Sequence, residues 1–230
     1  MQVKLTPRLE AIAKYVPDDY SVADIGTDHA YLPVYLLMQK ISLKVIATDI
    51  HEKPLSAAIA LIEMLNLTRK IDIRLGDGLH VLEPAEADVI VLAGMGGGTI
   101  AHILEESPEV IVTVKRLIIQ PMVHPQRVRN WLAENKFEIV DEDLVEDDGK
   151  IYEIIVAEPG NAKYTFEESY IGPQILHKKP LLLKKYLLQQ QATLQNNLVE
   201  MDKSDSTRTS LRKKEYQMRF ELLDKVIACL

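Results

Sequence analysis

The feature that most constrains the fold is a rhythm. Short, uninterrupted apolar runs alternate with stretches whose apolar residues recur at helical spacing. The runs are Tyr20 to Ile25, broken by Gly26; Val45 to Asp49; Ile71 to Leu75, closed by Gly76-Asp77-Gly78; Ala87 to Ala93, closed by Gly94-Met95-Gly96-Gly97-Gly98; and Arg116 to Gln120. Between them the spacing predicts helices over Ala30 to Lys40, Pro54 to Leu67, Thr99 to Glu106 and Val123 to Asn135. One more helix is expected in residues 1–16, with Leu5, Leu9, Ile12, Ala13 and Val16 on one face and Pro17-Asp18-Asp19 at its end. Strands separated by helices imply βαβ units and an α/β fold with a parallel sheet covered on both faces. Runs that are continuously apolar fit strands buried on both sides.

The rhythm changes after Phe137. Glu138 to Val145 and Ile151 to Ala157 read as two strands joined by Glu146-Asp147-Asp148-Gly149-Lys150, and Asp-Gly between such runs signals a hairpin. The parallel sheet is therefore expected to finish with an antiparallel pair. Pro159-Gly160-Asn161 then marks a boundary, dividing the chain into residues 1–160 and 161–230. Beyond it the sequence reads as a loop to Gly172-Pro173, followed by two long polar helices separated by Ser204-Asp205-Ser206-Thr207. Leu183, Leu187, Leu194, Leu198 and Met201 mark a narrow apolar stripe on the first, and Leu211, Met218 and Leu222 on the second. That pattern suits an α-helical hairpin with a coiled-coil-like seam.

Charge separates the same two regions. Residues 1–160 hold 15 Lys and Arg against 26 Asp and Glu, whereas residues 161–230 hold 12 against 8. An acidic body with a basic tail argues against a broad DNA-binding face and suits a catalytic body that presents a basic element to a polyanion. Basic residues that simply solvate long helices give the same count. A composition 47% hydrophobic and 27% charged excludes a disordered or collagenous chain. The single cysteine, Cys229, permits neither an intrachain disulfide nor a CxxC metal site, and no metal is expected. No apolar run approaches a membrane span and Met1-Gln2-Val3-Lys4 opens no signal sequence, so a reducing cytosol is the expected location.

In an open parallel sheet, ligands bind at the carboxyl ends of the strands where strand order reverses. The first strand ends in Asp24-Ile25-Gly26-Thr27-Asp28-His29-Ala30, and Gly26 permits a tight turn and a close backbone approach. Asp49, followed by Ile50, lies 23 residues after Gly26, about where a carboxylate accepts hydrogen bonds from the hydroxyls of an adenosine ribose. Asp77, with Gly78, places a short acceptor near an adenine amine. Gly94-Met95 closes the fourth strand. A dinucleotide needs a glycine-rich turn over its pyrophosphate, but here Asp24 and Asp28 flank the turn and would repel one. They suit a ligand with cationic groups. S-adenosylmethionine carries a sulfonium, an ammonium and an adenosine without phosphate, and no Gly-Lys-Ser/Thr phosphate loop occurs.

Val22-Ala23-Asp24-Ile25-Gly26-Thr27-Asp28-His29-Ala30-Tyr31-Leu32-Pro33, Gly76-Asp77-Gly78-Leu79 and Ala93-Gly94-Met95-Gly96-Gly97 together closely resemble the bacterial tRNA adenine-22 N1-methyltransferase family, over essentially the whole chain. The resemblance implies a Rossmann-like class I methyltransferase sheet, for which a terminal antiparallel hairpin is characteristic, and transfer of a methyl group to adenine N1 in the D-loop region of tRNA. Cofactor contacts are expected from Asp24, Gly26, His29, Asp49, Ile50, Asp77, Gly78 and Gly94, and the reacting centre from Asp28, Gly94 and Met95. RNA contacts are expected from Arg8, Tyr31, Lys178, Lys179, Lys184 and Lys185, and from Arg208, Arg212, Lys213, Lys214 and Arg219. Plain alternatives stand beside these: Asp49 as a strand-end solvating group, Asp77 as a turn former, Asp24 or Asp28 as a helix cap, His29 bonded to backbone, Tyr31 in the core. The remaining histidines, His51, His80, His102, His124 and His177, show no ligand spacing. A small-molecule or protein methyltransferase with a helical lid, and a non-catalytic cofactor-binding module with a partner-binding hairpin, remain alternative readings; a monomer is plausible.

Overall fold

The computed structural model describes residues 3–201 and 207–230, the latter from residue 212 onward in its side chains. These residues form two compact units, 1–178 and 179–230. In the first, the elements run α1 (Pro7–Ala13), β1 (Val22–Ile25), α2 (Tyr31–Met38), β2 (Val45–Asp49), α3 (Glu52–Met64), β3 (Ile71–Leu75), β4 (Val89–Met95), α4 (Gly97–Glu105), α5 (Pro108–Ile111), β5 (Arg116–Pro121), α6 (Pro125–Glu134), β6 (Phe137–Asp147), β7 (Lys150–Pro159), α7 (Phe166–Ile171) and α8 (Pro173–Lys178). The strands build one seven-stranded sheet in the order β3-β2-β1-β4-β5-β7-β6. β1 pairs in parallel with both β2 and β4, and β7 alone is reversed, antiparallel to β5 on one side and to β6 on the other. Strand order thus reverses between β1 and β4, which fixes where a ligand-binding crevice opens.

Period-2 alternation sends successive strand residues to opposite faces. Val22, Val45, Ala47, Val89, Val91 and Ile118 pack under α1, α2 and α3, while Ala23, Ile25, Ile46, Ile90, Leu92 and Ile119 pack under α4, α5 and α6. This accounts for the unbroken apolar runs: both sheet faces are core. Burying each such Val, Leu or Ile stabilises the fold by roughly 1.5–3 kcal/mol.

Four sequence expectations need correction. The first unit ends at Lys178 and not at residue 160, because residues 161–178 form α7 and α8 and are tied to the sheet. Arg129, fully buried on α6, donates from Nε to Glu142 at 2.7 Å, pairs with Glu153, and donates from Nη1 to the carbonyl of Ser169 at 3.2 Å. Glu142 in turn accepts the backbone N–H of Gln174 at 2.9 Å. The stretch expected as loop is therefore helical, and Thr165 with Glu168 closes a capping box at the start of α7. α5, only four residues long, carries too short a pattern to be read from spacing. β4 runs through Met95, two residues beyond the apolar run.

The second unit is two helices, α9 (Leu183–Met201) and α10 (Thr207–Ala228). Leu183, Leu187 and Leu194 are buried as the α9 stripe predicts. Among the described side chains of α10 the buried ones are Leu223 and Val226, whereas Met218 is 59% exposed; the side chain of Leu211 lies outside the described residues. Leu222 is half-buried next to Leu223, so of the expected stripe only Met218 departs from the packed face among the described side chains. No helix among the described residues is long and apolar enough to cross a membrane.

Candidate active site at the strand ends

The β1 and β2 tips are knitted together by backbone. Gly26 N–H and Thr27 N–H both donate to the Thr48 carbonyl, at 2.9 and 2.8 Å. Asp49 accepts the Asp28 N–H at 3.2 Å on one carboxylate oxygen and the His51 N–H at 2.8 Å on the other. Each oxygen keeps a further lone pair for a ligand hydroxyl. Gly26 has φ +75, and a Cβ there would stand 2.4 Å from Met95 Cε, so the first turn is closed against the end of β4. Asp28 and Ala30 also adopt left-handed backbone, at φ 54 and 55. Two such residues around His29 store strain of the kind that clusters at functional turns.

Asp24 is the electrostatic centre. It is 6% exposed and accepts a hydrogen bond from Thr27 Oγ1 at 2.7 Å. Burial pushes its carboxyl up to about 6; the Thr27 hydroxyl opposes that, Asp49 adds to it, and Arg8 opposes it. Two acidic groups at adjacent tips, both buried, make a site deficient in positive charge. A cationic ligand relieves this deficit and a pyrophosphate deepens it.

The opposite wall is the end of β4. Ala93 pairs with Gln120 and Met95 with Pro121, so Gly94 is an extra residue, a bulge with φ +81. Bulges re-aim the chain next to active sites, and this one turns the Gly94 N–H onto Gln120 Oε1 at 3.2 Å. Arg8, at the start of α1, reaches the same oxygen from Nη1 at 2.6 Å and lies with Cζ 5.6 Å from the Tyr152 ring centre.

The structure gathers Arg8, Asp24, Gly26, Asp28, His29, Asp49, Gly94 and Met95 at neighbouring strand tips. Tyr31 opens α2, is 45% exposed rather than in the core, and sits with its ring centre 5.6 Å from that of His29. Ile50, 54% exposed, follows Asp49, and Asp77 is an exposed turn residue with Gly78 at φ 53. Lys178 departs from expectation: it ends α8 in the first unit, and its ammonium is engaged by Asp141 and by the Glu142 carbonyl at 3.1 Å. In the second unit, Lys179, Lys184, Lys185 and Lys214 are exposed, Lys213 is half-buried, and Arg212 and Arg219 each stand 5.7 Å from the Tyr216 ring centre. The side chain of Arg208 lies outside the described residues. Sequence reading missed Thr27 and Gln120. The visible signal for the second was a glutamine ending the otherwise apolar run Leu117-Ile118-Ile119.

The donor set fits S-adenosylmethionine. Asp49 has spare acceptor capacity for a ribose, the Gly26 turn lets backbone approach, and the buried Asp24 carboxyl favours a cation. Comparison with known proteins agrees. Residues 5–155 match the Methyltransferase domain family. The tRNA (adenine(22)-N(1))-methyltransferase of Bacillus subtilis is 36% identical over 233 residues, covering 98% of each chain. The crystal structure of the B. subtilis m1A22 tRNA methyltransferase TrmK superimposes with a TM-score of 0.90, covering 98% of this chain and 100% of that one. Streptococcus pneumoniae Sp1610, a putative tRNA (m1A22) methyltransferase solved in complex with S-adenosyl-L-methionine, is 31% identical with a TM-score of 0.88, over 97% and 100% of the two chains. The strand-tip geometry and these full-length matches agree: the chain belongs to the bacterial tRNA (adenine(22)-N(1))-methyltransferase family, with a Rossmann-like class I fold.

Proposed function

We propose that this protein uses S-adenosylmethionine to methylate N1 of an adenine in tRNA, at position 22 by its family, in the cytoplasm. The observation that carries the reading is the buried Asp24 beside Asp49 at the point where strand order reverses, a pocket suited to a cationic nucleoside. When bound, the cofactor supplies an electrophilic methyl group. Asp49 accepts from its ribose, Asp77 and Gly78 face its adenine, and Asp24, His29 and Gly94 border its methionine end.

Adenine N1 is unprotonated at neutral pH, so its lone pair is available without a strong base. The chain's contribution is proximity and alignment, at roughly 3–3.5 Å between reacting atoms. The bulged Gly94 and Met95 form the acceptor-side wall, and the lack of a side chain at Gly94 leaves room for a whole base. The exposed Tyr31 ring suits stacking on that base. Methylation leaves the ring cationic, and the Asp28 carboxylate, at the cofactor turn, stabilises that charge as it develops. N1 lies on the pairing edge, so the base must be exposed first, at a cost of a few kcal/mol. Phosphate contacts from the basic residues of α9 and α10 offset it.

The test is methyl transfer from labelled cofactor into bulk tRNA, followed by nucleoside analysis. Labelled 1-methyladenosine supports the reading. Label in another acceptor alone, or cofactor binding without transfer, overturns it.

A further inference from the structure

Gln120 is a polar side chain that follows the apolar run Leu117-Ile118-Ile119 of β5. It is fully buried near the end of β5, paired with Ala93 beside the Gly94 bulge. Its amide is saturated: Oε1 accepts from Arg8 Nη1 at 2.6 Å and from Gly94 N–H at 3.2 Å, while Nε2 donates to the Pro121 carbonyl at 3.0 Å and to Met122 Sδ at 3.7 Å. Arginine and backbone N–H only donate, so the orientation of the amide is fixed by chemistry. One oxygen thereby couples the acceptor-side wall to the guanidinium of α1. Arg8 is held further by the Tyr152 face and by its own N–H, which donates to Asp147 at 3.3 Å.

With Nη1 committed, Arg8 keeps its Nε–Nη2 edge, which has no hydrogen-bond partner among the described residues. That edge is a two-donor fork. An adenine presents N7, an acceptor, beside its N6 amine, a donor, and cannot accept both N–H groups. Two non-bridging oxygens of a phosphate can. We propose that Gln120 is a positioning residue that aims the Arg8 fork at the phosphate of the nucleotide entering the site. The inference rests on the tRNA reading above and assigns one contact within it.

A phosphate grip is present before and during methyl transfer, so its loss raises KM with little change in kcat. Gln120→Met is expected to raise the KM for tRNA about tenfold, the size of one hydrogen bond to a charged group, without changing cofactor affinity. Arg8→Ala does the same, and the double variant is no worse than either single one. Gln120→Glu, which keeps an acceptor oxygen for both donors, retains KM within about threefold of the original chain. A D-arm RNA whose phosphate 5′ to the target adenosine is a neutral methylphosphonate binds about tenfold more weakly to the original chain and no differently to Arg8→Ala. NMR of the Arg8 Nε–H reports the hold without RNA: it is ordered in the original chain and mobile in Gln120→Met. Additive losses, an unchanged Arg8 signal, or insensitivity to the methylphosphonate overturns the proposal. If the original chain forms no 1-methyladenosine and binds no tRNA, the functional reading and the phosphate contact both fall, and the NMR arm still decides whether Gln120 holds Arg8.

Discussion

Replacing Asp24 by Asn separates the cost of the site from its use. The carboxyl titrates near 3.8 in an ordinary environment and near 6 in the fold, chiefly because it is buried. One pKa unit corresponds to about 1.4 kcal/mol, so above pH 6 the ionised group costs the cofactor-free protein ~3 kcal/mol relative to a neutral one. The sign follows from proton binding. Between pH 4 and 6 the folded state holds a proton that the unfolded state has released, so stability falls as pH rises through that window and is level above it. Asn has no charge to desolvate and still accepts from Thr27. Asp24→Asn is therefore expected to be more stable than the original chain by up to ~3 kcal/mol at pH 8, and no different below pH 4. Cofactor binding changes oppositely: losing one charge-assisted contact weakens it by roughly 10–100-fold. For the original chain, affinity falls as pH drops through about 6, and calorimetry in buffers of different ionisation enthalpy detects proton release at that pH. Denaturant titration at pH 4 and 8 with calorimetry at each pH measures both arms. A variant no more stable at pH 8 that also binds cofactor normally would refute the assignment of Asp24 as the buried receptor for positive charge.

Other outcomes follow from particular contacts. Arg129→Met strands Glu142 and Glu153 in the core and should destabilise the fold by about 3–5 kcal/mol in chemical denaturation; a loss below about 1 kcal/mol would mean that α7 and α8 are held by something else. Asp28→Asn should lower turnover far more than cofactor affinity, and unchanged single-turnover rates would remove Asp28 from the chemistry. Gly94→Ala, at φ +81, should cost roughly 1–2 kcal/mol of stability and slow methyl transfer, checked by melting and by rate. Replacing Lys184, Lys185, Arg212 and Lys214 together with Ala should reduce the slope of log affinity for tRNA against log salt by about 3 and leave cofactor binding intact; an unchanged slope would place the phosphate contacts elsewhere.

Most of the fold was legible because its signals are local and strong. Continuous apolar runs between helical patterns identify strands buried on both faces, and Asp148-Gly149 marks the hairpin. The grouping of Asp24, Gly26 and Asp49 was legible too, since all three fall at strand ends. What local pattern did not carry was anything set by distant partners. α7 looks like loop until Arg129 is placed beneath it, Lys178 looks like a free cation until Asp141 is beside it, and the inward face of α10 is chosen by Leu223 and Val226 against the weaker stripe through Met218.

The amino-acid order by itself determined the layers, the sequence of strands and the acidic character of the strand tips, because periodicity and turn chemistry act over a few residues. Tertiary structure decided which tips meet. It brought Met95 against Gly26, raised the Asp24 carboxyl by burial beside Asp49, and joined Arg8 to Gly94 through Gln120, 112 residues along the chain from Arg8. Such couplings depend on distance in space and on local dielectric, and neither is written in residue spacing.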